Sequence, residues 1–274
     1  MKGNKYPQRH LEAGLSYSAA KKIIHAPSVY KHEYIDENWS PDTDARRLGR
    51  AVHSLALEHE KFDQQYIVMP KVDGRTKAGK ALKAEYEAKA IDLGLTMIKE
   101  DTHETAKACA ESLRNHPTFA ALLDNDPTIE QFYKWRDKRD DGILWQAKPD
   151  IVAGRIAADI KTCGDARAEA FIRDVEKMYY DVQAALYTDV LEGNGKKIDY
   201  FLFACVETAP PYLCAMHVLD DESIAAARDC YRQAGWTFQQ CIATGKWPGL
   251  ERKVDLIGLR PWVLKSRMNI RGGE

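Results

Sequence analysis

Two aspartates and a lysine in this 274-residue chain are spaced for metal-assisted chemistry. The stretch Lys148-Pro149-Asp150-Ile151-Val152-Ala153-Gly154-Arg155-Ile156-Ala157-Ala158-Asp159-Ile160-Lys161 is apolar and β-prone on both sides of a glycine, which predicts a hairpin. With Gly154 and Arg155 as its turn, paired positions sum to 309, so Asp150 faces Asp159 and Lys148 faces Lys161. Opposed Cβ atoms lie about 4.5–5.5 Å apart, and strand residues two apart share a face, so Asp159 and Lys161 project together. Two carboxylates that close repel unless a cation lies between them. A hard, oxygen-preferring ion such as Mg²⁺ suits them, with Mn²⁺ as a substitute. Taken alone, Asp-x-Lys is a weak signal, since most such triplets are solvated strand edges.

Other residues extend the set. Tyr180, Gln183 and Tyr187 fall on one face of a helix predicted over Arg167–Leu191. They are either amphipathic core-edge residues or a cover over the active edge of the sheet, where Gln183 and Tyr187 would bond phosphate or the carboxylates. His53 is predicted on a helix over Arg46–Glu58 and is either a structural histidine or a metal ligand. Glu130 is either a further carboxylate of the site or an exposed strand residue. Arg75, Lys77, Lys80 and Lys83 are either a solvated helix face, as nearby Glu85 and Glu87 suggest, or a phosphate grip. In the second case Gly74 and Gly79 would let backbone amides approach an anion.

The elements that must position these residues follow from pattern. A polar, loose stretch of ten residues precedes a Ser-capped helix over Ser16–Ile24, ended near Pro27. A polar loop spans Asn38–Asp44, an extended segment Phe62–Met69, a charged helix runs from the 74–80 loop to about Leu93, and another covers His103–Leu113. A three-strand meander is predicted from Ile129–Trp135, a turn at Asp140-Asp141-Gly142, and Ile143–Val152 entering the hairpin. Strands follow at Ile198–Val206 and Tyr212–Leu219, then a helix at Ser223–Thr244 and a Trp/Pro-containing tail. This is an α/β class chain, a central mixed sheet flanked by helices. We expect a single domain over 1–274, with 1–127 mainly helical and holding the basic loop 74–80, 128–219 holding the sheet and helix that carry the candidate residues, and 220–274 a C-terminal helix and tail.

Bulk composition excludes some classes. Hydrophobic residues make up 45% and charged residues 30%, with a formal net charge of −1. Nucleic-acid binding therefore needs a local patch or a metal rather than global charge. No apolar run is long enough to span a membrane. The six cysteines lack CxxC spacing, and together with the N-terminus they predict a cytoplasmic protein with reduced thiols.

Pro149-Asp150 followed by Asp159-Ile160-Lys161 fits the PD-(D/E)xK nuclease pattern. From about Gly14 to Trp262 the chain resembles the C-terminal nuclease domain of RecE (exonuclease VIII) and its phage and prophage relatives. The resemblance rests on Ser16-Tyr17-Ser18, Pro27-Ser28-Val29-Tyr30, Leu48-Gly49-Arg50-Ala51-Val52-His53, Leu57-Glu58 and Arg75-Thr76-Lys77-Ala78-Gly79-Lys80. It continues through Lys148-Pro149-Asp150, Asp159-Ile160-Lys161-Thr162 and Gln183-Ala184-Ala185-Leu186-Tyr187, the QxxxY signature of RecB-like nucleases. It implies a restriction-endonuclease-like core with an N-terminal helical elaboration. It further implies a Mg²⁺-dependent exonuclease that digests duplex DNA ends from 5′ to 3′ and leaves 3′ tails. A ring-shaped homo-oligomer, a RecT-type single-strand annealing partner and a bacterial host cytoplasm come with it. The implied roles are metal ligands for His53, Asp150, Asp159 and Ile160, catalytic lysine for Lys161, support for Gln183 and Tyr187, and DNA contact for Arg75, Lys77 and Lys80. Gly74 departs from relatives that carry a second arginine there. An iron–sulfur cluster is not expected, because no cysteine precedes Cys109 and no close trio follows. An endonuclease of the same fold and a catalytically inactive DNA-binding member are the competing expectations.

Overall fold

A computed structural model describes residues 12–138, 142–251 and 253–269. The loose first ten residues and the Asp140-Asp141 part of the expected turn lie outside the described residues. The chain opens with helix α1 (Tyr17–His25), whose cap Ser16 accepts from the Ala19 amide as expected. A short α2 (Pro27–Tyr30) follows, then α3 (Asp44–Leu57), which carries His53. Strands β1 (Tyr66–Met69) and β2 (Thr96–Lys99) form a parallel pair on either side of α4 (Lys77–Leu93). Helices α5 (Glu100–Asn115) and α6 (Pro117–Asp124) complete the N-terminal part.

Next come β3 (Thr128–Ile129), β4 (Tyr133–Arg136), β5 (Leu144–Ala147), β6 (Ile151–Ala153) and β7 (Ile156–Cys163). Helices α7 (Ala168–Met178) and α8 (Tyr180–Gly193) cross over to β8 (Tyr200–Glu207). Then follow β9 (Cys214–Val218), α9 (Asp221–Thr244) and α10 (Pro261–Asn269). The main sheet has the order β3-β6-β7-β8-β9, with β7 and β8 parallel and the other neighbours antiparallel, so it is mixed as expected.

Alternation along β7 and β8 divides the core in two. Ala157, Cys163, Phe201, Phe203 and Cys205 face α1, α7, α8 and α9. Ala158, Ile160, Leu202, Ala204 and Val206 face α3, α5 and α6. Asp159 and Lys161 therefore point to the first side, while His53 approaches from the second.

Three expectations need correction. The meander is not continuous. Glu130, at φ 47°, breaks the first run, so β3 joins β6 while β4 and β5 form their own pair. The Ile143–Val152 run is interrupted at 148–150, because Pro149 offers no N–H to a ladder. The helix predicted over Arg167–Leu191 is two helices, broken at Tyr179, whose φ is 60°.

Buried Asp189 on α8 accepts from Arg228 (2.7 and 2.9 Å), the Tyr231 hydroxyl (2.6 Å) and Arg232 (3.3 Å), which ties α9 to α8. Asp189→Ala leaves these donors facing an apolar gap. We expect a loss of about 3 kcal/mol, the low end for a broken buried pair because Arg228 is 30% exposed, measured by urea unfolding.

Candidate active site

The hairpin has the register read from the sequence. Ile151 pairs with Ala158, Val152 with Ala157 and Ala153 with Ile156, around a turn in which Gly154 has φ 56°. The ladder stops at Ile151, so Asp150 is not a strand residue. Its carboxylate instead accepts the Ile160 N–H at 2.7 Å. Lys148 does not face Lys161; it pairs with Glu130. The backbone N–H of Glu130 donates to the Asp150 carbonyl at 3.0 Å, extending the β3–β6 register by one step. That bond carries Glu130 to the site, and no spacing in the sequence announces it.

His53 arrives from α3. Its Nδ1 is 3.3 Å from Asp150 Oδ1, and its Nε2 is 3.1 Å from the Ile160 carbonyl. His53, Glu130 and Asp150 bring one donor atom each to within 4.8 Å of one another. Asp159 stands on the other side of the strand. Its carboxylate meets Lys161 Nζ at 2.6 Å and accepts from Gln183 Nε2 at 2.7 Å. Lys161 also donates to Gln183 Oε1 at 2.7 Å, which closes a triangle. Only one amide orientation satisfies both partners, because an ammonium needs an acceptor and a carboxylate a donor. The Tyr180 ring lies 4.1 Å from Lys161 Nζ and was not singled out for contact with Lys161 by pattern, although it sits one turn before Gln183. Tyr187 packs edge-on against Phe201 beside this triangle.

Burial disfavours the charged form of each group, and partners reverse it for some. Burial would push the His53 imidazole down, but the charge and hydrogen bond of Asp150 lift it to about 9. Burial would raise Asp150, yet His53 and the Ile160 N–H hold it below the usual carboxylate range. Burial and repulsion from Asp150 place Asp159 above that range, against the pull of Lys161. Burial would lower Lys161, and Asp159 more than offsets it. Burial also raises the Tyr187 phenol.

Two carboxylates and the nearby Ile160 carbonyl are hard oxygen donors that fit Mg²⁺ or Mn²⁺, and the imidazole adds one borderline nitrogen. Both His53 nitrogens are engaged, so ligation through either requires the ring to release a proton. Arg75, Lys77 and Lys80 are not brought to this cluster. They sit at the exposed start of α4, which packs on β1 and β2. The Gly79 amide is already taken by the Thr76 hydroxyl at 2.9 Å, and Arg75 pairs with Asp73, so the loop is a capped helix start.

Residues 16–258 match the family described as a PDDEXK-like domain of unknown function (DUF3799). The chain belongs to that family. Among solved structures, a presumptive exonuclease from Eubacterium rectale superposes with a TM-score of 0.63 at 15% identity, covering 97% of this chain and 98% of the other. This likeness carries the fold. A phage-related exonuclease from Haemophilus somnus 129PT (TM-score 0.34, 13% identity, 88% and 99% covered) is also similar. So is an alkaline exonuclease from Laribacter hongkongensis (0.30, 16%, 71% and 95%). No curated protein sequence matches the chain. No helix among the described residues is long and apolar enough to cross a membrane.

The donor cluster makes a direct prediction. Asp150→Asn keeps an acceptor for the Ile160 amide but loses the charge that a divalent ion needs. Calorimetric titration with Mn²⁺ should show binding weakened by about 10-fold or more, with an unchanged circular dichroism spectrum.

Proposed function

We propose that this PDDEXK-like chain is a divalent-metal-dependent nuclease that hydrolyses DNA, specifically a Mg²⁺-dependent exonuclease acting on duplex ends. The observation that carries this reading is the arrangement around β7. Asp159, Lys161 and Gln183 close on one another, while Asp150, His53 and Glu130 gather within reach of the same strand. His53, Glu130, Asp150 and the Ile160 carbonyl would hold the ion, and the resemblance adds Asp159 to that set. When bound, Mg²⁺ supplies Lewis acidity toward a phosphate and its attacking water. Lys161, clamped by a carboxylate and an amide oxygen, keeps an ammonium N–H for a phosphate oxygen and offsets the charge that grows there. Gln183 orients both partners, and Tyr180 supports the ammonium from below.

Polarity from 5′ to 3′, a 3′-tailed product, a RecT-type annealing partner and a ring around DNA are carried by the resemblance to RecE. On that reading the protein acts in recombination by strand annealing in a phage or prophage setting. A single domain of nearly neutral charge would hold DNA weakly as a monomer, and a ring multiplies each local contact.

Linear duplex labelled at the 5′ or the 3′ end, incubated with Mg²⁺ or with EDTA, tests the reading. We expect early loss of the 5′ label as mononucleotide, no cutting in EDTA and no attack on closed circles. Discrete fragments from circles would instead indicate an endonuclease. Lys161→Ala should lower the rate about 100-fold or more while Mn²⁺ binding persists. Loss of Mn²⁺ binding in that variant would assign Lys161 to the metal site instead.

A further inference from the structure

Most basic residues on α1 and α3 are neutralised. Lys22 pairs with Glu33 at 2.7 Å, Arg47 with Asp42 and Asp44, and Arg50 with Asp42. Lys21 and Arg46 form no ion pair among the described residues. Lys21 is nonetheless half-buried, where an unpaired ammonium is costly. Its Nζ lies 5.3 Å from the centroid of the Tyr17 ring, one turn earlier on α1.

Tyr17 ties α1 to the floor of the site, while Arg46 donates to the Pro41 carbonyl at 3.4 Å. The Tyr17 hydroxyl donates to the Met178 carbonyl at 2.5 Å, at the corner where α7 gives way to α8. Two residues on, the Tyr180 ring carries Lys161. Two tyrosines at one backbone corner thus each support a lysine. On α3, Arg46 precedes His53 by seven residues, two turns on the same face. Between them Gly49 lies against β7, where an added Cβ would meet Thr162 Oγ1 at 3.6 Å. Burial, and after it the positive charges of Lys22, Lys161 and Arg46, hold the Lys21 ammonium below the ordinary lysine range against the pull of Glu33.

We propose that Lys21 and Arg46 form a cationic rim over Lys161 that grips the phosphodiester next to the one being cut. This rests on the nuclease reading above and adds the path of the substrate strand to it. A phosphate there would give both cations a direct partner, and their charge would counter the repulsion that Asp150, Asp159 and Glu130 exert on DNA.

The test uses the full chain and a short fluorescent duplex in Ca²⁺ without Mg²⁺, with anisotropy read across a salt series. Lys21→Met keeps the stem over Tyr17, and Arg46→Met removes the second charge. Each should weaken binding and reduce the slope of log affinity against log salt by about 1. In Mg²⁺ the loss should appear in KM rather than kcat. Lys21→Arg should restore the slope, and Lys107→Met, at a surface position paired with Glu104, should leave it unchanged. Should Lys21→Met fail to fold, Lys21→Gln and Arg46→Met carry the comparison. A wild type that cuts DNA while these variants keep its slope and KM overturns the rim alone. A wild type that neither binds nor cuts overturns the nuclease reading and the rim with it.

Discussion

The hydrogen bond from the Ile160 amide to the Asp150 carboxylate is the constraint on which the site depends. The β6–β7 ladder ends one residue too early to hold Asp150 by backbone pairing. The side chain does this instead, and so Asp150 is buried at the end of the ladder rather than turned outward. With that carboxylate fixed, His53 has a partner for one nitrogen and finds the carbonyl of the same Ile160 with the other. Glu130 then follows from the backbone bond of Asp150 to β3. The backbone of a single residue on β7, Ile160, therefore organises groups from α3, β3 and the start of β6.

The opposite face of β7 is organised by a helix boundary. Tyr179 adopts a left-handed conformation that a non-glycine residue seldom takes. The resulting corner starts α8 at Tyr180 and lets Gln183 reach both Asp159 and Lys161. It also presents the Met178 carbonyl to Tyr17, so the N-terminal helix is anchored to the same point. The charges on the two faces remain in communication through the strand, since Asp150 raises Asp159 and Asp159 raises His53.

Much of this was legible in the sequence wherever local chemistry fixes the outcome. The Gly154 turn sets the hairpin register, since only glycine takes that backbone conformation freely, and the two-residue period of β7 puts Asp159 beside Lys161. Ser16 and the 3.6-residue spacing of α3 were equally readable. The positions that escaped are those where tertiary contacts override a local preference. Tyr179 is an ordinary helix residue by type, and nothing in its neighbours signals a break. Glu130 lies in an alternating run that looks like one strand, and its left-handed φ is imposed by the switch from β3 to β4. The early stop at Pro149 follows from its missing N–H, a local signal that the apolar residues around it mask. For Arg75, Lys77 and Lys80 the structure adds that the Thr76 hydroxyl takes the Gly79 amide, so contact with an anion there would fall to the exposed side chains.

The parallel pairing of β7 with β8 has a consequence for the life of the chain on the ribosome. Neighbouring antiparallel strands can zip through a turn as they emerge, but β7 acquires its second partner only after α7 and α8 have been synthesised. Those same helices deliver Gln183 and Tyr180, while His53 has waited since almost a hundred residues before Asp150. The groups thus assemble through contacts distant in sequence, which form late and cooperatively. A nascent or truncated chain that stops before β8 presents acidic residues without the partners that hold them in order. The candidate site is therefore completed by the closing of the sheet rather than by any local segment of the chain.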